Sequence, residues 1–508
     1  MTKGESAIRN PQSALVWLLF AAAILVVYFA GLTMPLVGPD EPRYAQVARE
    51  MFERGDWITP TLGGFNWFEK PALLYWIQIA AYNLFGVSEF SARFGSALFG
   101  LGTVASLWML GRAVERPATN NHQQSTNQFS NWLGLIAAST IGIIAFAHGA
   151  SFDIILTFPI TAAMVSYFIY DTGRRPGWLV SFYFFIALAL LAKGLVGIVF
   201  PFAIVAFFQV LSWRFPTRTF LVSLFWGTAL AIAVACVWYV PMYLRHGYEF
   251  INQFFIQHHF QRYTSNKYLH PQPFYFFFWV LPLMTIPWLP FFIASLWSLG
   301  KQVLRPQTAE NGEENLRVTT SLQLFGIAWL AVPVVFFSFS GSKLPGYVLP
   351  AVPGAIILTA VYVDRFVQKS LSRTYVIQAV AAGTFAVVLI AVIAFVPKFA
   401  ETDSVKGLFA AAYDRGLDAL PVLMLHGVSH NAEFYAPGRI IRAVDGKQKT
   451  VYGPPEVLRE INARGGEPML VLVRQDYLYQ LTQSDFLDAE VLKSNGEWVL
   501  TLVKAKDH

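Results

Sequence analysis

The chain has 508 residues, of which 55% are hydrophobic, 16% aromatic and only 13% charged. Soluble domains carry about 25% charged residues, so this composition excludes an ordinary water-soluble protein and indicates that most of the chain lies in a bilayer. The formal net charge is only +6. Lysine and arginine concentrate between the apolar runs, a distribution that reflects membrane orientation, and no nucleic-acid partner is expected.

The N-terminal region contains Lys3 and Arg9 and then an apolar stretch over residues 14–36. This stretch is too long for a typical cleaved signal sequence, so it predicts an uncleaved first membrane span. The single cysteine, Cys236, excludes an intrachain disulfide.

Near-continuous apolar runs of the length needed to cross a bilayer predict eleven spans. They cover residues 14–36, 93–111, 131–149, 153–170, 178–192, 195–212, 219–243, 274–299, 321–340, 345–363 and 374–396. The run over residues 71–86 is shorter and predicts an interfacial or re-entrant segment. Counting such pieces as spans raises the total to twelve or thirteen.

The charges of the loops predict the orientation. With the N-terminus in the cytoplasm, every assigned cytoplasmic loop carries at least two basic residues, as the positive-inside rule requires. These residues are Arg112, Arg116, Arg174, Arg175, Arg214, Arg218, Lys301, Arg305, Arg317, Arg365, Lys369 and Arg373. Residues 37–92, 244–273 and 341–344 and the C-terminus then lie outside.

The tail, residues 400–508, has a different composition from the membrane part, residues 1–399. Strand-like runs occur at Val422–Leu425, Met469–Val473 and Trp498–Val503, with a helical pattern at Pro455–Ala463 between them. We therefore expect a separate small α/β domain on the outer side.

The first outside loop, residues 37–92, carries the most informative pattern. Apolar residues follow Pro42 at helical spacing, which predicts an amphipathic helix suited to the membrane surface. Asp40 precedes this helix. It is predicted to be either the N-cap, a structural role, or a catalytic carboxylate, and the two roles are compatible.

The predicted topology places several ionisable residues at the outer ends of spans or in outside loops. Charges there either form structural ion pairs or line a functional cavity. A carboxylate could deprotonate an acceptor, and cations could stabilise charge that develops on a phosphate leaving group. The candidates are Asp40, Glu41, Glu69, Lys70, Asp153, Lys193, Arg245 and Lys343.

Metal and nucleotide motifs are weak or missing. His258 and His259 are adjacent, so on a helix they point about 100° apart and rarely bind one ion together. The sequence leaves one metal site possible, a divalent metal held by Glu69 and His259. The predicted function requires no other cofactor. The sequence contains no P-loop, no dinucleotide-binding fingerprint and no D-x-D pair. A lipid-phosphate sugar donor suits an outer-face site better than a cytosolic nucleotide sugar.

Several motifs resemble one known enzyme family. The runs DEPRYAQVAREM, GDWITP and FEKPALLYW resemble the first periplasmic loop of the bacterial aminoarabinose transferases that act on lipid A, and the wider GT-C family related to protein O-mannosyltransferases. Further matches are ARFGSA at 92–97, Phe152-Asp153, Ala192-Lys193-Gly194, HFQRY at 259–263 and SKLPGYVLP at 342–350. Pro42, Ala72 and Gly346 depart from the family pattern.

The resemblance implies an all-α polytopic membrane protein of the GT-C fold, with a small C-terminal α/β domain in the periplasm. It implies an inverting transfer from a polyprenyl-phosphate sugar. Asp40 matches the catalytic acidic position, with Glu41 and Asp153 as alternatives. The implied pocket residues are Glu69, Lys70, Asp153, Lys193, His259, Lys343 and Tyr347. For the donor phosphate we predict contacts with Lys70, Lys193, Lys343 and Tyr347, and also with Arg43 and Arg245.

We therefore expect a glycosyltransferase of a bacterial inner membrane, acting on lipid A, lipopolysaccharide or another envelope acceptor. One alternative is protein O-glycosylation. An alternative of another class is a transporter or lipid flippase. Transporters often contain inverted repeats and broken midplane helices, and neither is evident in the sequence.

Overall fold

The computed structural model describes residues 11–115, 128–261, 271–304 and 313–506. Most of the described chain is helical, and no membrane is present. The helices of the apolar part are Pro11–Phe29, Leu73–Phe85, Glu89–Val114, Phe129–Ala138, Ile141–Ala147, Phe152–Gly173, Gly177–Lys193, Val196–Leu211, Arg218–Phe250, Phe276–Met284, Leu289–Leu304, Glu313–Ser338, Val352–Val367 and Leu371–Ile390. A 3₁₀ segment, Pro345–Ala351, precedes Val352, and π-helical turns occur at Ile251–Gln261 and Ala391–Phe395.

Each of the eleven predicted spans coincides with a helix or a pair of helices in the described chain. Six helices are long and apolar enough to cross a bilayer, and two bent pairs raise that number to eight. Three shorter apolar helices occupy the remaining predicted spans, at Ala14–Phe29, Gly177–Lys193 and Val196–Leu211. The predicted interfacial segment forms the short helix Leu73–Phe85. The chain is a multi-pass membrane protein.

Two predicted spans are not single straight helices. Residues 131–149 form two helices that bend by 55°, and residues 274–299 form two helices that bend by 117°. Ser139 and Thr140 interrupt the first pair, and Thr285 to Trp288 interrupt the second, so polar or proline-containing links replace the continuous apolar helix. The sequence analysis did not predict these two bends.

The helix that contains Arg245 runs further than predicted. The apolar run ends near residue 243, yet helix continues to Phe250, with a break at Gly247, where φ is 55° and ψ is −137°. Only glycine adopts such a backbone conformation readily, so Gly247 allows the helix to turn at this point. Arg245 and His246 thus lie on a helical turn just before a kink.

The chain folds into two compact units. The first contains residues 1–30, 68–74 and 94–389, and so holds most of the apolar helices. The second contains residues 31–67, 75–93 and 390–508. The sequence predicted the first outside loop and the tail as separate regions. In the structure they fold largely as one unit.

A five-stranded mixed sheet forms the centre of the tail. Its strands are β3 (Val422–Leu425), β4 (Thr450–Val451), β5 (Met469–Arg474), β6 (Leu487–Ser494) and β7 (Trp498–Ala505), while β1 (Thr61–Leu62) and β2 (Phe65–Asn66) form a hairpin in the first loop. The strand order is β4-β3-β5-β7-β6, with β3 parallel to β4 and β5 and the other pairs antiparallel. The helices of this unit are Asp40–Arg54, Val396–Asp403, Lys406–Tyr413, His430–Tyr435, Pro454–Ala463 and Leu478–Thr482.

Each face of the sheet has its own apolar core. Val422 and Met424 point to one face and belong to the same apolar cluster as Leu408 and Phe409. Leu423 and Leu425 point to the other face, where Val457 and Ile461 contact them. This alternation follows from the two-residue repeat of a strand and explains why β3 is apolar throughout. The four runs predicted in the tail form the strands and the helix expected of them.

The predicted amphipathic helix is present as Asp40–Arg54, but its apolar face is not available to lipid. Tyr44, Val47, Ala48 and Met51 are at most 7% exposed. The backbone carbonyl of Ala45 accepts a 3.0 Å hydrogen bond from the hydroxyl of Tyr82, and the tail helix His430–Tyr435 packs against this helix. Protein therefore covers the face that the sequence assigned to the membrane surface.

Candidate active site

Three motifs that are far apart in sequence meet in the first unit. The helix Phe152–Gly173 and the next helix, Gly177–Lys193, form a hairpin, so the start of the first helix lies beside the end of the second. Asp153 and Lys193 form an ion pair there, with side chains only 19% and 14% exposed. The ammonium group of Lys193 also lies 4.8 Å from the centre of the Tyr347 ring. The structure thus brings three predicted site residues together.

Hydrogen bonds and ring contacts fix this cluster. Ser151 caps the helix that follows it, because its Oγ accepts a 3.1 Å hydrogen bond from the backbone N–H of Asp153. The Ser151 hydroxyl also lies 3.3 Å from Oδ2 of Asp153. The ring of Tyr347 packs at 5.0 Å from that of Phe337 and is 9% exposed. Both charged groups are therefore held in one arrangement.

Gly346, a departure from the family pattern, has a steric reason. A Cβ atom added at residue 346 would overlap Oδ2 of Asp153 and would lie 2.8 Å from the ring of Phe146. The 3₁₀ segment therefore passes directly over the carboxylate, and only glycine leaves room for it. The residue that departs from the pattern is the one that lets Tyr347 approach Lys193.

Lys343 is buried in the turn before this segment, where it is 7% exposed. Its ammonium group donates hydrogen bonds to the backbone carbonyls of Ser340, at 2.7 Å, and Gln272, at 3.0 Å. An ammonium group has three donors, and carbonyls carry only partial charge. The positive charge of Lys343 is thus solvated by the backbone.

The F-E-K-P motif lies in the first unit beside the kinked helix. Phe68 is 2% exposed, and its ring packs at 4.9 Å from that of His246 and at 5.8 Å from that of Phe250. This anchor sets the position of Glu69 and Lys70, which follow it and are half-buried. Arg245 precedes His246 on the kinked helix and is exposed.

Asp40 is the first residue of its helix and not its N-cap. Pro39 occupies the cap position, and no side chain caps this helix. The carboxylate of Asp40 instead forms an ion pair with Arg43, one turn later, and is 50% exposed. Proline has no side-chain acceptor for capping, and the acidic group contributes through the helix dipole. The predicted capping role is therefore wrong, while the carboxylate remains accessible to a ligand.

Arg43 holds a fixed position next to Asp40. Its Nε donates a 2.8 Å hydrogen bond to the carbonyl of Pro39, and its guanidinium lies 5.7 Å from the ring of Trp67. Its side chain is 18% exposed. The start of the helix and Trp67, later in the first loop, thus both contact Arg43.

Glu41 occupies a different environment from its neighbour. It is buried and forms two hydrogen bonds with the buried guanidinium of Arg93, at 2.7 and 2.9 Å. Arg93 also donates to the carbonyls of Leu32 and Pro35, at 3.2 and 3.0 Å. These hydrogen bonds fix the chain segment that leads into Asp40. They therefore favour a structural role for Glu41. Sequence reasoning missed Arg93, although it lies in the quoted ARFGSA motif.

The tail clamps the same loop. Gly38 donates its backbone N–H to Oδ2 of Asp403 at 2.7 Å, and Leu36 donates to the hydroxyl of Tyr435 at 2.8 Å. That hydroxyl lies 3.2 Å from Oε1 of Glu89, and burial raises the pKa of Tyr435, so the phenol stays protonated. No sequence pattern identifies these residues, because each contributes a single polar atom to the hydrogen bonds.

His430 adds a titratable group to this region. It starts the tail helix that packs on Asp40–Arg54. Burial lowers the pKa of His430 to about 4; the charge of Arg43 acts in the same direction and that of Asp40 opposes it. His430 is therefore neutral at neutral pH.

The described part of the chain supplies no further ligand for the metal site that the sequence predicted as possible. No group of three histidine, cysteine, aspartate or glutamate side chains comes together among the described residues. The side chain of His259 lies outside them, so its pairing with Glu69 stays a prediction.

Comparison with known proteins gives a consistent picture. A family model described as dolichyl-phosphate-mannose-protein mannosyltransferase matches residues 13–257. An undecaprenyl phosphate-alpha-4-amino-4-deoxy-L-arabinose arabinosyl transferase of Serratia proteamaculans is 28% identical over 380 residues, or 73% of this chain and 64% of that protein. A transferase of the same name from Proteus mirabilis is 30% identical over 69% of this chain and 59% of its own length. The chain thus spans less than two thirds of these relatives.

Solved structures extend the similarity to the whole fold. ArnT from Cupriavidus metallidurans bound to undecaprenyl phosphate superposes with a TM-score of 0.74 at 22% identity, over 96% of this chain and 97% of that one. The archaeal oligosaccharyltransferase AglB from Archaeoglobus fulgidus gives a TM-score of 0.54 at 11% identity, over 97% of this chain and 74% of that one. The predicted fold class is confirmed, including the small sheet domain. The resemblance of this chain to the bacterial aminoarabinose transferases and to the protein O-mannosyltransferases is thus confirmed over the matched regions.

Proposed function

We propose that this protein transfers a sugar from a polyprenyl-phosphate donor to lipid A, lipopolysaccharide or another envelope acceptor. The observation that carries the proposal is the Asp153–Lys193 ion pair beneath Tyr347. Charged side chains at the ends of apolar helices are costly and mark functional positions. The resemblance found in the sequence assigns all three residues to pocket positions of lipid-phosphate glycosyltransferases.

The cations of the first unit suit a phosphate ligand. Lys193 is held by Asp153, and Lys343 donates hydrogen bonds to two backbone carbonyls. An ammonium group is a strong point-charge partner for phosphate oxygens. We assign the donor phosphate to Lys193 and Lys343, with Lys70, Arg43, Arg245 and Tyr347 as further predicted contacts.

The reaction follows from these roles. An acceptor oxygen forms a bond to the anomeric carbon while the bond from that carbon to the phosphate oxygen breaks, so the configuration inverts. The polyprenyl phosphate leaves with the bonding electron pair, and cations stabilise its charge. A hydroxyl acceptor also loses a proton, and we assign that proton to Asp40, whose carboxylate is half exposed. Asp153, which is already paired with Lys193, is the alternative base.

The names of the relatives favour one sugar and one donor. The transferases of Serratia and Proteus are named for undecaprenyl phosphate aminoarabinose, and the structure from Cupriavidus is bound to undecaprenyl phosphate. We therefore propose undecaprenyl phosphate as the lipid carrier and aminoarabinose as the first sugar to test.

The test compares envelope lipids, by mass spectrometry, from cells with and without the protein. Loss of one sugar-modified lipid species in the deletion strain, restored by the wild-type gene but not by its Lys193→Met variant, is the expected result. Identical lipid profiles in all strains, with the protein present in the membrane, would refute transfer to a lipid acceptor.

We also propose that the protein lies in a bacterial inner membrane, with a cytoplasmic N-terminus and a periplasmic tail. The basic residues of the assigned cytoplasmic loops support this orientation. A reporter that is active only in the periplasm should be active when it is fused after His508. Activity of a cytoplasm-specific reporter at the same point would reverse the orientation.

Protein O-glycosylation is the second candidate, and the match to a protein mannosyltransferase family supports it. It predicts glycosylated envelope proteins, rather than modified lipids, in the same pair of strains. A transporter or flippase is less well supported, because the whole fold resembles that of transferases.

A further inference from the structure

A lysine-lined cavity lies within the second unit. Its volume is about 830 Å³. The helix Val396–Asp403, the loop that follows it, the start of the helix Lys406–Tyr413 and the tip of the β6–β7 hairpin form its walls. Three lysines line it, Lys398, Lys406 and Lys493, together with one carboxylate, Glu401.

The charges around this cavity are unbalanced. Lys406 forms a 2.6 Å ion pair with Glu89. In the described part of the chain, Lys398 and Lys493 form no ion pair. The ammonium group of Lys493 lies against the backbone of Gly407, 3.6 Å from where a Cβ atom would stand. The cavity therefore presents an excess of positive charge, which a bound anion would neutralise.

The walls of the cavity are fixed before any ligand binds. The side-chain amide of Asn495 donates a 3.0 Å hydrogen bond to the carbonyl of Ser404 and so ties the hairpin to the helical wall. The carbonyl oxygen of the same amide accepts from the backbone N–H groups of Glu497, at 3.1 Å, and Trp498, at 2.8 Å. Leu408, which also lines the cavity, is buried in the tail core. A ligand would thus meet a preorganised site.

The helical wall continues from a membrane span. One continuous 33-residue helical run contains the helix Leu371–Ile390, the π-helical turn Ala391–Phe395 and the helix Val396–Asp403. At 1.5 Å per residue it is about 50 Å long, whereas the hydrocarbon core is about 30 Å thick. The end that carries Lys398 therefore projects from the core. Phe395 and Phe399 on this end are 67% and 61% exposed, as aromatic residues at a bilayer interface are.

From this combination we infer that the cavity binds the phosphate-bearing head group of a membrane lipid. Lys398 and Lys493 contact the phosphate, while Phe395 and Phe399 lie among the upper parts of the acyl chains. Binding of a lipid at this cavity does not depend on the proposed function.

The test uses the full-length protein in detergent and counts bound lipids by native mass spectrometry. Dioleoyl phosphatidic acid is the probe, and dioleoyl phosphatidylcholine and inorganic phosphate are the comparison ligands. The variant Lys398→Gln/Lys493→Gln removes the two lysines. Lys447→Gln/Lys504→Gln is the matched control, because both of its lysines are exposed at 83% and 60% on the same unit.

The wild type and the control should bind one more phosphatidic acid than the lysine-cavity variant at the same concentration. The affinity at this site should fall roughly 30-fold, since each lysine near an anionic head group contributes about fivefold. Phosphatidylcholine should not distinguish the variants. Equal phosphatidic acid binding in both variants would overturn the proposal. Displacement of the lipid by inorganic phosphate at equal concentration would overturn the lipid as the ligand.

Should the double variant lose its fold, the single variant Lys493→Gln replaces it. Lys493 is exposed on the hairpin, so its loss should leave the core intact. A fivefold weaker affinity for phosphatidic acid is then expected, and no change would refute the site.

Discussion

Leu36 and Tyr435 are 399 residues apart in sequence, yet the backbone N–H of Leu36 donates a 2.8 Å hydrogen bond to the Tyr435 hydroxyl. Asp403 accepts a second bond, from Gly38, so the tail holds the four residues that precede Asp40. The sequence predicted the tail as a separate domain. Because it shares a compact unit with the first loop, it also determines the backbone position of the predicted catalytic carboxylate.

Tyr435→Phe should therefore slow transfer. Loss of the hydroxyl leaves the N–H of Leu36 and a carboxylate oxygen of Glu89 without this partner, at a cost of about 1–3 kcal/mol. We expect kcat to fall about tenfold, with the donor KM nearly unchanged. Tyr413→Phe is the matched control, because Tyr413 is 69% exposed and belongs to the same unit. Equal kcat values for the two variants would remove the positioning role of Tyr435.

Asp40→Asn should abolish most transfer without unfolding the protein. Asp40 does not cap its helix, so asparagine removes only the charge, the basicity and the ion pair with Arg43. The rate should fall by roughly 10²–10⁴-fold, the usual contribution of a general base, while donor binding persists. Glu53→Gln is the control, since it removes an exposed carboxylate from the same helix. Near-normal transfer by Asp40→Asn would move the role of base to Asp153.

The Asp153–Lys193 pair allows a test that separates structure from donor binding. Lys193→Met leaves a mostly buried carboxylate without its partner and should cost about 3 kcal/mol of stability. Asp153→Asn in the same chain removes that charge and should restore most of the stability. Binding of undecaprenyl phosphate, measured by the same mass spectrometric titration, should stay weak in both variants. Full recovery of lipid affinity in the double variant would show that the pair is purely structural.

Gly346→Ala should displace either Asp153 or the 3₁₀ segment that carries Tyr347. The added Cβ overlaps the Asp153 carboxylate, and such overpacking costs about 1–3 kcal/mol. Both the melting temperature and the transfer rate should fall. Gly383→Ala is the control, because no atom lies within 4 Å of a Cβ at that position. Unchanged activity in Gly346→Ala would mean that the cluster adapts to the extra methyl group.

His430 predicts that acid destabilises the protein. Its pKa is about 4 in the folded protein and about 6.5 in an unfolded chain, so between these values the unfolded state binds more protons. The stability from this group is complete above pH 6.5 and is lost as the pH falls toward 4, at most by about 3 kcal/mol. His430→Gln should flatten the fall in melting temperature between pH 6.5 and 4.5. An equally steep fall in this variant would assign acid sensitivity to other groups.

The sequence by itself determined the spans, the four main elements of the tail and the motifs of the site. Long apolar runs and strand alternation are local properties, because they depend on burying one face of one element. It did not show where the runs at 131–149 and 274–299 bend, since a few polar or proline residues can either interrupt a helix or lie within it.

Only the tertiary structure decided the roles of individual charges. Asp40 and Glu41 are neighbours in sequence, yet one is half exposed beside Arg43 and the other is buried against Arg93. Likewise, Asp153 meets Lys193 because two successive helices form a hairpin, and Gly346 is required because a third segment crosses that pair. Whether a charged residue has a structural role or is available for chemistry depends on which residues bury it or pair with it. Those residues are distant in sequence.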